Sequence, residues 1–233
     1  MRWDERAGRA AGWLLAPMAG TLSLLRRARM FHPEGAMLEA AVEPLPGPFP
    51  QLGQRLAGPA LARLSTAWWR GGKEWIDALG IALRIGPQDL LFATIRHPWT
   101  TIFAPVTTEQ HDFLANDYFA VSPFDVRGVG RGKLRLVGSR PRDLAPRGRA
   151  ERLDQALQRA EAWLRLELEL EGSGRWSPVA LIRLVRRVPV DDQAIRFSPF
   201  RDGKGLTPRG FVHELRRATY LLSQLARPAA SHR

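Results

Sequence analysis

The chain contains no cysteine, which removes disulfides, thiolate metal sites and cysteine nucleophiles together. Lysine occurs only at Lys73, Lys133 and Lys204, so the formal charge of +12 is carried almost wholly by arginine. An arginine bias of this kind also follows from a GC-rich coding sequence. The basic residues are scattered and not interleaved with aromatics in one block, so no nucleic acid partner is expected. No apolar run reaches the length of a membrane span. The usual signatures of hydrolases and nucleotide binders are missing too: there is no G-x-S-x-G elbow, no G-K-[ST] phosphate loop, no H-E-x-x-H pair and no G-x-G-x-x-G at a strand-to-helix junction. The five histidines, at 32, 97, 111, 213 and 232, do not stand at helical ligand spacing from one another, which argues against a locally built histidine metal site.

The first 25 residues resemble a secretory signal in having an apolar run after a charged start. Asp4 and Glu5 in the would-be basic region, Pro17 and Gly20 in the apolar run, and the lack of a small-residue cleavage site before Arg26 and Arg27 argue otherwise. Residues 1–28 are therefore read as an amphipathic lead-in segment, and a soluble, cytoplasmic protein is expected. A length of 233 residues with 45% hydrophobic content suits one ordered domain, taken as residues 29–233.

Short apolar runs bounded by glycine, proline or polar residues predict strands over residues 36–43, 60–66, 79–85, 89–94, 119–122, 133–137, 179–188 and 194–197. The proline-rich stretch 44–50 reads as an extended loop, residues 85–89 as a hairpin connection, and 128–132 as a glycine-rich turn. Residues 147–163 are helix-prone. From 164 to 171 leucine alternates with charge, placing Leu164, Leu166, Leu168 and Leu170 on one face and Arg165, Glu167, Glu169 and Glu171 on the other. Residues 207–227 predict a closing helix, with Phe211, Leu215, Ala218, Leu222 and Leu225 on an apolar stripe and His213, Arg216, Tyr220 and Arg227 opposite. Many short strands with helices toward the ends indicate an α+β chain with an antiparallel β-barrel or sandwich.

Four short matches follow one another in order. Arg29-Met30-Phe31-His32 with Gly35 reads R-x-x-H-x-x-G; residues 59–66 read P-x-x-x-R-x-S-T with Arg63, Ser65 and Thr66; residues 77–84 read D-x-x-G-I-A-L-R, followed by Asp89-Leu90-Leu91; and Arg216 and Tyr220 form R-x-x-x-Y. The set resembles the haem-catalase superfamily, and covers about residues 29–94 and 207–227 of this chain. The resemblance implies a catalase-like β-barrel and haem b with ferric iron. It implies Tyr220 as the metal ligand, with Arg216 one helical turn away stabilising its phenolate, because a nearby cation favours the anion. It implies His32 as the distal proton carrier, held by the Ser65 hydroxyl, and Arg29 and Arg63 as cations for the haem propionates. Arg227, on the same helix face as Tyr220, is a further candidate for the propionates.

The chain departs from the family pattern in two places. The distal asparagine has no counterpart, since Phe92-Ala93-Thr94 follows Leu91, leaving Thr94 as the candidate donor. Phe31 replaces the small residue usual before the histidine. The chain is also much shorter than a catalase. The expected function is reduction of hydrogen peroxide or organic hydroperoxides, by peroxidase or weak catalase chemistry, with an electron donor that the sequence does not identify. The alternatives are a non-catalytic haem-binding or membrane-surface protein, and an enzyme of the allene oxide synthase type that rearranges fatty-acid hydroperoxides. A homo-oligomer is expected, and the basic composition with an apolar lead-in is compatible with peripheral membrane contact.

Overall fold

In a computed structural model of the chain, the structure describes residues 35–67, 74–96, 104–120, 122–142, 148–189 and 195–209. Ten strands are present among them: β1 (Gly35–Pro44), β2 (Gly58–Thr66), β3 (Leu79–Ile85), β4 (Gln88–Ala93), β5 (Asp117–Ala120), β6 (Phe124–Val126), β7 (Gly130–Gly138), β8 (Trp163–Leu170), β9 (Trp176–Arg187) and β10 (Leu206–Pro208). Eight of them, in the order β7-β5-β4-β3-β2-β1-β9-β8, close into an antiparallel barrel through the pairing of β8 with β7. β6 pairs with the first half of β7, and β10 extends that flap. Closure satisfies the backbone groups that an open sheet would leave along its edges.

Strand alternation decides which residues fill the barrel. Leu38, Ala40 and Val42 of β1, Ala62 and Leu64 of β2, Ile81 and Leu83 of β3, Leu134 and Leu136 of β7, and Leu164, Leu166 and Leu168 of β8 are all buried in one core. The leucine alternation of residues 164–170 thus does what its period implies. The β3–β4 hairpin turns through Gly86-Pro87, where Gly86 has φ of 57°, a conformation glycine takes without steric cost.

Helix α1 (Pro50–Leu56) buries Leu52 and Leu56 against the sheet. It replaces the end of the loop expected over 44–50: Pro50 opens the helix, where its missing N–H costs nothing. Helix α2 (Arg149–Gln158) is shorter than the helix expected over 147–163, because Ala160 takes a positive φ of 56° and reverses the chain into β8. The strand expected over 119–122 ends at Ala120.

Two further expectations are corrected. Residues 195–197 do not form a strand; they are held by side chains, with Arg84 donating to the Arg196 carbonyl and Asp89 accepting from the Ser198 N–H at 2.9 Å. A helix does not begin at Thr207, because Leu206–Pro208 pairs with β6 as the edge strand β10, a position where proline is tolerated. The remainder of the expected helix, from residue 210 on, lies outside the described residues, as does the lead-in segment 1–28.

Candidate functional site on the outer face of β1 to β4

Residues that alternate with the core point out of the barrel, and the registers join them into rows. Gly35 pairs with Ser65, Ser65 with Gly80, and Gly80 with Ala93. The next row is Met37, Arg63, Ala82 and Leu91. The first row therefore takes one member from each of three sequence matches, plus the position four after Asp89. Segments spread over sixty residues of sequence meet there on four adjacent strands.

The first row of this face carries no large side chain, while the second carries Met37, Arg63 and Leu91. Gly35, Gly80, Ala82 and Ala93 offer no more than a methyl group each, so a flat surface is left in which backbone is close to whatever lies against it. Two polar residues break it. Arg63 is only 4% exposed, which for a guanidinium demands acceptors around it. Its position depends on Gly35: a Cβ there would stand 2.8 Å from the Arg63 Cζ and 2.8 Å from the Leu64 carbonyl oxygen. Ser65, 3% exposed, donates its hydroxyl to the Gly80 carbonyl at 3.3 Å. Its proton is thereby directed to the backbone.

Thr94 is not brought into this row. Its backbone N–H donates to the Leu79 carbonyl at 3.0 Å, which sets it in the neighbouring row with Leu79 and Thr66, of opposite parity to Ser65. Its hydroxyl oxygen accepts from the Leu79 N–H at 3.1 Å and from the Thr108 hydroxyl at 2.8 Å. Of the other candidates, Arg29, His32, Arg216, Tyr220 and Arg227 lie outside the described residues. Among the described residues no group of three or more histidines, aspartates and glutamates is placed to hold a metal ion.

The loop between β4 and β5 buttresses this end of the barrel. Gln110 accepts from the Asp77 N–H at 3.1 Å and donates to the Asp77 carbonyl at 2.9 Å, tying the β4–β5 loop to the β2–β3 loop. Asp112 caps the turn by accepting from the Leu114 N–H at 2.7 Å, and burial pushes its carboxyl above the usual range. Tyr118, fully buried, donates to the Phe113 carbonyl at 2.7 Å, and burial raises its phenol well above the ordinary value. Sequence reasoning missed one pairing here: the Nδ1 of His111 lies 2.6 Å from Glu74, whose other oxygen accepts from the first N–H of α2, that of Arg149. Glu74 so acts as the cap that Gly148 cannot provide. No local signal announces a pair 37 residues apart.

No family model matches the chain, and no curated protein matches it by sequence. The crystal structure of a fungal catalase at 1.9 Å is similar in fold, with a TM-score of 0.57 at 10% sequence identity, over 89% of this chain and 61% of that one. The chain thus has a catalase-like barrel and spans about 61% of the length of that catalase.

The residues of the outward face suit the cofactor that such a fold suggests. A rigid planar macrocycle needs backbone that it can approach closely, which the row holding Gly35, Gly80 and Ala93 offers beside Met37, Arg63 and Leu91 of the next row. Its acidic edge needs a cation, and the Arg63 guanidinium lies beside Gly35.

Proposed function

We propose that the chain binds haem b against the outer face of β1 to β4 and reduces hydrogen peroxide or organic hydroperoxides there. The observation that carries this reading is the row Gly35, Ser65, Gly80 and Ala93, which sets one residue from each of three of the sequence matches side by side. Tyr220 would hold the ferric iron as a phenolate, with Arg216 lowering its proton affinity. Haem supplies redox capacity that side chains lack. The chain's own residues supply the rest. His32, as a neutral imidazole, would take a proton from one peroxide oxygen and return it to the other, so that water leaves as the O–O bond breaks, the reducing electrons coming from an external donor or a second peroxide. Ser65, whose hydroxyl donates to the Gly80 carbonyl, would orient that imidazole. Arg63 and Arg29 meet the carboxylates of the haem edge, with Arg227 as a third candidate.

The absorption spectrum of the haem-reconstituted protein, with and without peroxide, tests this. Tyr220→Phe should abolish the phenolate-ligated ferric spectrum, whereas Tyr118→Phe, the only other tyrosine substitution available, should leave it in place. An unchanged spectrum in Tyr220→Phe would sink the ligand assignment. His32→Ala should stop hydroperoxide consumption while haem remains bound.

A second reading, haem binding without turnover, is favoured by Thr94. Its hydroxyl oxygen is engaged by Leu79 and Thr108 in a row that faces away from Ser65. Haem uptake with no peroxide-dependent spectral change in the unaltered protein would select it.

A further inference from the structure

The sequence matches contain two charged residues that the haem site described above does not use: Arg84, at the end of D-x-x-G-I-A-L-R, and Asp89 after it. Both turn to the same distant segment. Asp89, 2% exposed, receives the Arg84 guanidinium at 2.7 Å on each carboxylate oxygen, and one of those oxygens also accepts from the Ser198 N–H at 2.9 Å. Arg84 continues to the Arg196 carbonyl and lies 4.9 Å over the Phe197 ring. Gln88, wholly buried, donates from Nε2 to the Arg201 carbonyl at 3.2 Å, while its Oε1 accepts from the N–H groups of Gly203 and Lys204 at 3.2 Å each. The Asp89 N–H donates to the same Arg201 carbonyl at 2.9 Å, and Arg201 donates back to the Pro87 carbonyl at 3.1 Å. The hairpin residues 84–89 thus grip residues 196–204 across a wide gap in sequence.

Directional bonds of this kind fix one course for a segment that apolar contact would leave free to slide. A largely buried ion pair adds little net stability, because desolvation offsets its attraction, and its better attested use is to select a single arrangement. Beyond the grip the segment forms β10, and Arg209 is tied down by its N–H, which donates to the Pro123 carbonyl at 2.9 Å, and by its pair with Asp125 at 3.0 Å. The chain therefore sets out from Arg209 toward Tyr220 from a point fixed to the barrel. The strands that make the grip also make the platform: Arg84 shares β3 with Gly80, and Asp89 shares β4 with Ala93. We propose that Arg84, Gln88 and Asp89 are positioning residues for Tyr220, registering residues 195–209 on the two strands of the platform and so setting the origin from which Tyr220 reaches the iron. This role rests on the haem reading proposed above. Each residue extends the chain by at most about 3.6 Å, so an origin fixed against β3 and β4 bounds where Tyr220 can stand. Ordering that origin in advance also removes its entropic cost from haem uptake.

Asp89→Asn keeps an oxygen for the Ser198 N–H and ends the ion pair with Arg84, and two measurements on the full chain test it against Glu167→Gln, which weakens the opposite wall of the barrel. In the protein without haem, hydrogen exchange at residues 195–205 should be about tenfold or more faster in Asp89→Asn, the size expected for losing a charged hydrogen bond, and unchanged in Glu167→Gln. In the haem-loaded ferric protein, Asp89→Asn should lose most of the phenolate-ligated spectrum and Glu167→Gln should keep it. Arg84→Lys, which leaves a cation beside Asp89 without the two-pronged fork, carries the same expectations should Asp89→Asn fail to fold. Unchanged exchange, or full phenolate ligation in spite of faster exchange, overturns the proposal. So does an equal spectral loss in Glu167→Gln, which would reduce the effect to general stability. An unaltered chain that takes up no haem, or a spectrum that Tyr220→Phe leaves as it was, instead fails the haem reading itself, and the positioning role falls with it.

Discussion

One outward row runs around the barrel and changes character halfway. On β1 to β4 it reads Gly35, Ser65, Gly80 and Ala93; carried through β5, β7 and β8 it reads Phe119, Arg135 and Glu167. The second half completes itself. Glu167, 5% exposed, receives Arg135 at 2.7 Å on one oxygen and Arg165 at 2.7 Å on the other, and Arg135 lies 4.5 Å over the Trp176 ring, which meets Phe119 edge-on at 6.3 Å. Every large group there has a neighbour on the sheet itself. The first half has small residues in place of such a ladder, together with a buried guanidinium seated over a glycine. The same barrel geometry thus yields a self-satisfied wall on one side and a flat, cation-bearing platform on the other. What separates a structural surface from a candidate binding surface here is side-chain volume at equivalent register positions.

That contrast can be broken most severely on the wall. Glu167→Ala should cost about 3 kcal/mol in denaturant unfolding, because it leaves two arginines around a largely buried site without their shared anion. Arg183→Ala, which removes an exposed pair with Glu43 on the same side, should cost less than about 1 kcal/mol. If the two losses were equal, the wall would not be the interlocked unit described.

On the platform, Gly35→Ala sets a methyl group against Arg63 and should cost about 2 kcal/mol through overpacking. The more telling readout is haem titration, where the displaced guanidinium should weaken uptake in Gly35→Ala and leave it unchanged in Arg183→Ala. Unimpaired uptake by Gly35→Ala would separate the platform from haem binding.

The smallest effect is expected in the loop that supports the platform. Burial raises the carboxyl of Asp112 in the folded state, so the folded chain holds its proton more tightly than the unfolded chain does. Stability arising from this group is therefore present below the ordinary carboxylate range and is lost as pH rises through the folded value. Asp112→Asn keeps an oxygen for the Leu114 N–H but cannot ionise. Its melting temperature relative to the unaltered protein should rise with pH across the acidic range and coincide with it at the acid end. A difference independent of pH would mean that only the cap matters.

Much of the barrel was legible because its strands carry their period in the sequence. Residues 79–85 and the leucines from 164 to 170 alternate cleanly, and Gly86-Pro87 announces the hairpin between β3 and β4. Elements whose cues lie elsewhere in the chain were hidden. β6 and β10 are three residues long and exist through pairing with a neighbour, and α1 hides in a proline-rich stretch where Pro50 marks a helix start. Glu167 reads as a solvent-facing member of an alternating strand, yet it is buried under two arginines, one of them on the neighbouring strand β7.

The sequence by itself determined the α+β class, the alternation that fills the barrel and the order of the motif residues, because each depends on spacing along one segment. Only the tertiary structure decided that Gly35, Ser65, Gly80 and Ala93 share a row while Thr94 falls in the next. Only it shows that Arg63 rests over Gly35 and that Trp75 and Ile76 face outward while Asp77 does not. Those are matters of register and closure, and register is fixed by the pairing of strands far apart in the chain, where a shift of one residue exchanges the two faces.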